Sequence, residues 1–368
     1  MTGGGPIGQA RARLSGCAAP EPALPRPFSG WTPRPATTQA GGAAGKETAM
    51  ARKRVVAAAQ LGPIARAETR AQVVARLCAL LAEAKARGVG FVVFPELALT
   101  TFFPRYVFED EAELDSFYEG KLPGAEARPL FEAAEAAGIG FYLGFAERFE
   151  EGGRVRRFNT AITVDGSGRV LAKYRKVHLP GHAEPQPGRI FQHLEKRYFE
   201  PGDLGFPVYE ALGGRMGMLI CNDRRWPEAY RVMGLQDVEI VCLGYNTPMD
   251  HAGDDGVNAL TGFHNLLSMQ AGAYQNATWV IGAAKGGQEE GSLMVADSCV
   301  IAPSGEVVAK AATMEDELVT ATIDLDMGLP YKRTFFDFAR HREPESYRLL
   351  VERKGPGDML PPVRGAGV

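Results

Sequence analysis

The chain has 368 residues, with 41 Lys or Arg against 44 Asp or Glu and a formal net charge of −3. That balance excludes bulk attraction to nucleic acid or to an anionic membrane surface. Apolar residues make up 45 % of the chain. This supports a large core in either two ordinary domains or one α/β unit of about 250–300 residues with tails.

No stretch approaches the roughly 18 consecutive apolar residues of a membrane span. The cysteines, Cys17, Cys78, Cys221, Cys242 and Cys299, are scattered and odd in number, with no C-x-x-C pair. Neither a disulfide framework nor a zinc site is expected, and a reducing, cytoplasmic setting fits best.

Residues 1–52 differ from the rest of the chain. Gly, Pro and Ala account for 26 of the first 50 residues, with few acids and no apolar periodicity. Such a segment cannot bury enough surface to offset its ordering entropy, and it lacks the apolar run of a secretory signal. It is read as a disordered extension, and Met50 in Met-Ala-Arg-Lys-Arg offers an alternative start.

The pattern then alternates strands with helices. Residues 55–60 form a short buried strand. Residues 69–87 form a helix whose stripe is Val73, Leu77, Leu80, Leu81 and Ala84, with Gly88 as its stop. A strand over 91–94 runs into Pro95-Glu96, a helix over 129–137 ends at Gly138, and a strand covers 139–146.

Strands 160–164 and 170–174 flank Asp165-Gly-Ser-Gly168, and 298–302 and 307–310 flank Pro303-Ser-Gly-Glu306; both read as hairpins. Between them lie strands at 215–220, 238–243 and 278–283 and helices from 227 and over 263–274. Two β-α-β halves, each closed by a hairpin, predict a single α/β domain over 53–351 made of two sheets with helices outside. Residues 352–368 read as a tail.

Three strand ends carry an ionisable residue at odds with its apolar lead-in. Phe91-Val-Val-Phe-Pro-Glu96 delivers a carboxylate, Ala172-Lys-Tyr-Arg-Lys176 a lysine, and Met216-Gly-Met-Leu-Ile-Cys221 a thiol. Ligands in α/β proteins gather outside the carboxyl ends of strands. Arg224, Arg225 and a following helix start would favour a thiolate at Cys221. Amide hydrolysis needs a nucleophile, a base and an oxyanion donor, and Cys, Glu and Lys can fill those roles. Singly, each has a plain structural reading: a buried Cys, a helix-capping Glu, a solvated edge Lys.

Together these motifs resemble the carbon–nitrogen hydrolase (nitrilase) superfamily over about residues 54–350. The resemblance implies a four-layer α-β-β-α sandwich, homodimers or homotetramers, and a Glu–Lys–Cys catalytic set. Glu96 would be the general base, Lys176 the stabiliser of the tetrahedral intermediate and Cys221 the nucleophile.

The strings Val177-His-Leu-Pro-Gly-His182, Phe191 to Asp203, Gly244-Tyr-Asn-Thr-Pro248 and Leu266 to Gly272 are similar to the branch that hydrolyses N-carbamoyl-D-amino acids. That branch releases the D-amino acid, ammonia and carbon dioxide. The resemblance carries Glu195 over as a second active-site glutamate, His193 as a further substrate contact and His178 as a residue of the substrate site near the lysine. It also carries over the Asn222 backbone N–H as an oxyanion donor, with Asn246 and Thr247 at the mouth.

Arg224 and Arg225 supply planar donors suited to a substrate α-carboxylate, although Arg224 could instead pair with Asp223 or a neighbouring acid. His178, His182 and His193 lack a helical metal-ligand spacing, so no metal or cofactor is expected. Residues 181–191 depart from the branch and are expected to overhang the pocket and set side-chain preference.

Three rivals remain. One is an N-carbamoyl-β-alanine hydrolase, or an amidase or nitrilase, of the same superfamily. The second is a non-catalytic binding module on the same fold, and the third is nucleic-acid binding through the five basic residues of the first fifty. Besides further copies of the chain, the partner expected is a small N-carbamoyl amino acid, with no nucleic acid and no membrane.

Overall fold

The structure, a computed structural model, describes residues 52–189, 191–250 and 254–355. The expected N-terminal extension, apart from Arg52, and the tail beyond residue 355 lie outside the described residues. Arg52 itself is tied into the fold, donating to Asp326 at 2.9 Å and to Glu239.

The strands are β1 (Lys53–Gln60), β2 (Phe91–Val93), β3 (Gly140–Glu151), β4 (Arg154–Val164), β5 (Val170–Arg175), β6 (Val208–Ala211), β7 (Gly214–Ile220), β8 (Ile240–Tyr245), β9 (Trp279–Ala284), β10 (Gly286–Glu289), β11 (Ser292–Val295), β12 (Cys299–Ile301), β13 (Val307–Lys310) and β14 (Glu317–Asp324). They form two six-stranded sheets, ordered β14-β1-β2-β3-β4-β5 and β13-β12-β9-β8-β7-β6, and a small β10-β11 ribbon. Within each large sheet three parallel strands, β1-β2-β3 or β7-β8-β9, are flanked by antiparallel ones.

The layers arise from the alternation of side chains along each strand. In the first sheet Val56, Ala58, Phe91, Val93 and Tyr142 face the second sheet, packing with Met216, Met218 and Ile220. Their neighbours Ala57, Ala59, Val92, Phe141 and Leu143 face outward onto two helices, Arg70–Ala86 and Arg128–Ala137. The second sheet is covered on its far side by Pro227–Gly234 and Thr261–Asn276, giving the four-layer α-β-β-α sandwich in one domain.

Local signals set the ends of these elements. Thr69 and Gln72 form a capping box at the start of the first helix. The expected stripe of that helix is buried, each Leu contributing about 1.5–3 kcal/mol. Gly138 ends the second helix in the left-handed conformation, at φ 69°.

Both expected hairpins form, but the first is only part of a longer meander. β3 and β4 pair over eleven residues through a Gly152-Gly153 turn with positive φ at both glycines. Their outer halves are charged, so apolar alternation does not reveal them. β6, β10, β11 and β14 are likewise absent from the sequence expectation; β14 completes the first sheet by pairing antiparallel with β1, Lys53 opposite Asp324.

Candidate active site

The catalytic strand ends converge because two glycines permit a close approach. A Cβ on Gly144 would sit 2.6 Å from the Pro95 carbonyl oxygen and 2.7 Å from Glu96 Cα. One on Gly244 would sit 2.6 Å from the Glu96 nitrogen. The Pro95-Glu96 segment thus threads between β3 of one sheet and β8 of the other. Lys176 lies immediately after β5 and Cys221 immediately after β7.

Lys176 is fully buried and donates to Glu96 Oε1 at 2.7 Å and to Glu195 Oε2 at 2.6 Å. Asn159 Nδ2 donates to the same Glu96 oxygen at 2.8 Å and lies 3.5 Å from Glu195 Oε2. His193 Nε2 stands 3.0 Å from Glu195 Oε1. Two carboxylates therefore share one ammonium, and their protonation is driven apart.

Burial works against the charge of Glu195, but Lys176 and His193 outweigh it and hold this carboxyl down to about 2. Burial pushes Glu96 above the ordinary carboxylate value; Lys176 opposes that shift and the Glu195 charge reinforces it. Lys176 is held above its ordinary value because Glu195 and Glu96 outweigh the effect of burial. The result is a charged Glu195–Lys176 pair beside a carboxyl whose affinity for a proton is raised. Glu96 Oε2 has no partner among the described residues.

Cys221 is 3 % exposed and adopts φ 47°, a left-handed backbone that L-residues avoid. Its Sγ lies 3.6 Å from Thr247 Oγ1, 3.7 Å from an Arg224 guanidinium nitrogen and 4.0 Å from the Asn246 carbonyl oxygen. The expectation of a resting thiolate is corrected. Burial and the Glu96 charge push the thiol pKa up, and the opposing pull of Lys176 and Arg224 does not cancel them. The site thus holds the cysteine toward its protonated form.

A cavity of about 180 Å³ opens over the thiol, lined by Cys221, Asn222, Arg225, Asn246, Thr247, His193 and the 180–189 loop through Gly181, His182 and Arg189. No Asp or Glu is among its lining residues within the described part of the chain. Both side-chain amide atoms of the buried Asn246 lack a partner among the described residues. The expected overhang of residues 181–191 is present as far as Arg189. Ile190 lies outside the described residues.

The two arginines part company. Arg224 is 1 % exposed and is held by neutral groups rather than by the acid expected in its structural reading. It donates to the Cys221 carbonyl oxygen at 2.7 Å, Asn265 Oδ1 at 2.9 Å and Thr247 Oγ1 at 3.0 Å. It is absent from the lining of the cavity over the thiol and braces the Cys221 turn from behind.

Arg225 does line the cavity, donates to Asn222 Oδ1 at 3.2 Å and has no ion pair among the described residues. Burial and then Arg224 pull its pKa down to about 10. His178 also stands off the cavity. It contacts Asp223 Oδ1 at 2.8 Å through Nδ1 and stacks on Trp226 at 4.9 Å.

Two residues escaped the sequence reading. Asn159 sits in the run Phe158-Asn-Thr-Ala-Ile162, and an amide inside a buried strand was the available signal. Asp223 accepts from Tyr174 Oη at 2.7 Å and from the His178 N–H at 2.9 Å, joining the lysine strand to the cysteine turn.

Comparison with known proteins agrees with this geometry. The carbon-nitrogen hydrolase family profile matches residues 55–333. An N-carbamoylputrescine amidase of Arabidopsis thaliana is 30% identical over 285 residues, covering 75% of this chain and 89% of the relative. An omega-amidase of Homo sapiens is 29% identical over 286 residues, 77% and 93% of the two chains.

Among solved structures, a carbon-nitrogen hydrolase from Helicobacter pylori G27 superposes with a TM-score of 0.70 at 22% identity, covering 82% of this chain and 99% of the other. An amidase from Nesterenkonia sp. AN1 superposes with a TM-score of 0.59 at 21% identity, covering 80% and 95%. The buried Glu–Lys–Cys geometry and these matches lead to one identity: the chain belongs to the carbon–nitrogen hydrolase family.

Proposed function

We propose that the enzyme hydrolyses N-carbamoyl-D-amino acids to the D-amino acid, ammonia and carbon dioxide. The observation that carries the reading is Arg225, a cation with no ion pair among the described residues, in a cavity whose lining has no carboxylate. Such a site favours an anionic substrate. It repels an organic cation such as the substrate named for the plant relative, which a pocket would hold with Asp or Glu. The D configuration rests on the resemblance of the sequence strings around His193, Asn246 and Met269.

In this mechanism the substrate carboxylate meets Arg225 and the ureido group lies over Cys221. Glu96 takes the thiol proton as sulfur attacks the ureido carbon. Lys176 and the Asn222 backbone N–H hold the oxyanion. Glu96 then protonates the departing nitrogen, leaving a cysteine-bound carbonyl intermediate. Water deprotonated by the same carboxylate cleaves the C–S bond, and the carbamic product loses carbon dioxide. Asn246 supplies an amide donor and acceptor to the ureido group, and Glu195 keeps Lys176 charged and in place.

The exposed side chains Val232, Phe263, Leu267 and Tyr274 on the two helices outside the second sheet, with Leu235 just past the first, support the expected homodimer or homotetramer. The test of function is ammonia release from N-carbamoyl-D-amino acids, their L enantiomers, N-carbamoyl-β-alanine and N-carbamoylputrescine. Preference for the D compounds is expected, and turnover of the cationic amine alone would overturn the reading. Cys221→Ala should abolish turnover of every substrate while leaving Tm nearly unchanged, because little volume is lost.

A further inference from the structure

A second buried ionic cluster lies beside the site, and no catalytic step uses it. Glu289, at the end of β10, is fully buried. Its Oε1 accepts from the Phe102 N–H at 2.8 Å, Arg105 at 2.9 Å and Thr101 Oγ1 at 3.2 Å. Its Oε2 accepts from the Ile64 N–H at 3.0 Å and lies 3.6 Å from Lys285 Nζ. Lys285, which comes directly after β9 as Cys221 does after β7, is fully buried and donates to the Thr100 carbonyl oxygen at 2.5 Å. Arg105 Nε donates to the Phe102 carbonyl oxygen at 3.1 Å.

Almost every contact of this cluster falls on one segment, Thr100 to Arg105, the stretch of chain that leaves the general base. We propose that Glu289, with Lys285 and Arg105, is a positioning residue that fastens this segment and so holds Glu96 in register with Cys221.

Three features support it. Leu97, directly after Glu96, is held at φ 46°, a conformation its own side chain disfavours, so neighbouring anchors must impose the path. The segment also reaches the other side of the site, since the Phe102 ring meets His193 edge-on at 5.6 Å and His193 contacts Glu195. Third, three buried charges are a poor device for stability alone. Apolar residues of similar volume serve as well or better, whereas an ionic cluster fixes geometry by directional bonds.

The charges also complement each other. Two cations and one anion stand beside the Glu96–Glu195–Lys176 group of two carboxylates and one ammonium. Burial pulls Lys285 down to about 8 even with Glu289 and Glu96 supporting its charge.

The inference rests on Glu96 being the base of Cys221, so the test uses a reaction that needs no assumed substrate. The rate of Cys221 alkylation by iodoacetamide is measured by peptide mass spectrometry in the full chain, together with Tm and, on any substrate turned over, kcat and KM. Glu96→Gln serves as the control: unaltered alkylation there would remove the premise separately.

Glu289→Gln keeps the shape but not the charge, and Glu289→Asp keeps the charge but withdraws it by one methylene. Each is expected to slow Cys221 alkylation and kcat about 10- to 100-fold, the scale of a misplacement near 1 Å, with KM changed less than about threefold. Lower Tm with wild-type alkylation and kcat in the folded variants would assign the cluster to stability alone and overturn the proposal. So would a rise in KM with kcat unchanged. If the Gln variant does not fold, the Asp variant decides by the same criteria.

Discussion

Replacing Arg225 by Met removes the charge but keeps much of the aliphatic stem, so packing against the cavity wall is retained. The lost interaction with a substrate carboxylate is a hydrogen bond between charged groups, worth about 1.5–3 kcal/mol net. At about 1.4 kcal/mol per factor of ten, kcat/KM should fall roughly 10- to 150-fold. The upper part of that range is expected, because Arg225 is poorly compensated in the free protein: burial and Arg224 draw it down to about 10, and Asn222 is its hydrogen-bonding partner at 3.2 Å.

The carboxylate is remote from the reacting carbon, so the loss should fall mainly on KM, with kcat changed less than about threefold. Ammonia release is measured with an N-carbamoyl amino acid and with its methyl ester, which lacks the anion. The ester should respond to the substitution by less than about threefold. Equal losses on both compounds, or an unchanged KM for the acid, would refute the assignment of Arg225.

Gly144→Ala places a Cβ 2.6 Å from the Pro95 oxygen and 2.7 Å from Glu96 Cα, so the base must move; kcat should fall about 100-fold, and wild-type kcat in a folded variant would contradict the threading of Pro95-Glu96. Glu96 must be ionised to accept the Cys221 proton, and burial raises it above its ordinary 4.5. Activity should therefore rise with pH along an acid limb of kcat/KM whose midpoint lies above 4.5, and a midpoint at or below that value would speak against Glu96 as the base. Glu195 is held down to about 2 from an ordinary 4.5. Its contribution to stability is thus complete above about pH 4.5 and is lost as pH falls toward 2. Urea unfolding across that window should show a shallower pH slope in Glu195→Gln than in the wild type.

Much of the frame is legible in the chain. The stripe from Val73 to Ala84, the glycine stops at 88 and 138 and the Asp165 to Gly168 turn are local signals, and each marks an element. The order Glu96, Lys176, Cys221 at three strand ends points to the chemistry for the same reason: an ionisable side chain after an apolar run is visible without a partner. What escaped was non-local. β14 pairs with β1 across more than 250 positions, and no nearby residue announces that partner. The outer half of the β3–β4 ribbon carries charge on both strands, which hides its alternation. Arg224 and Arg225 look alike in sequence, and only their neighbours separate a brace for the cysteine turn from a cation facing the cavity.

By itself, then, the sequence determined which residues could react and where the strands and helices with strong local signals lie, because turn chemistry and apolar period act over a few residues. The tertiary structure alone decided their protonation. Lys176 and Glu96 are 80 residues apart in the chain yet 2.7 Å apart in space. It is burial at that junction, with a second carboxylate from Glu195, that raises the thiol and the Glu96 carboxyl above their ordinary values, while the two carboxylates hold Lys176 charged. Charge in a dry site depends on every group around it, and that set exists only once the two sheets have packed.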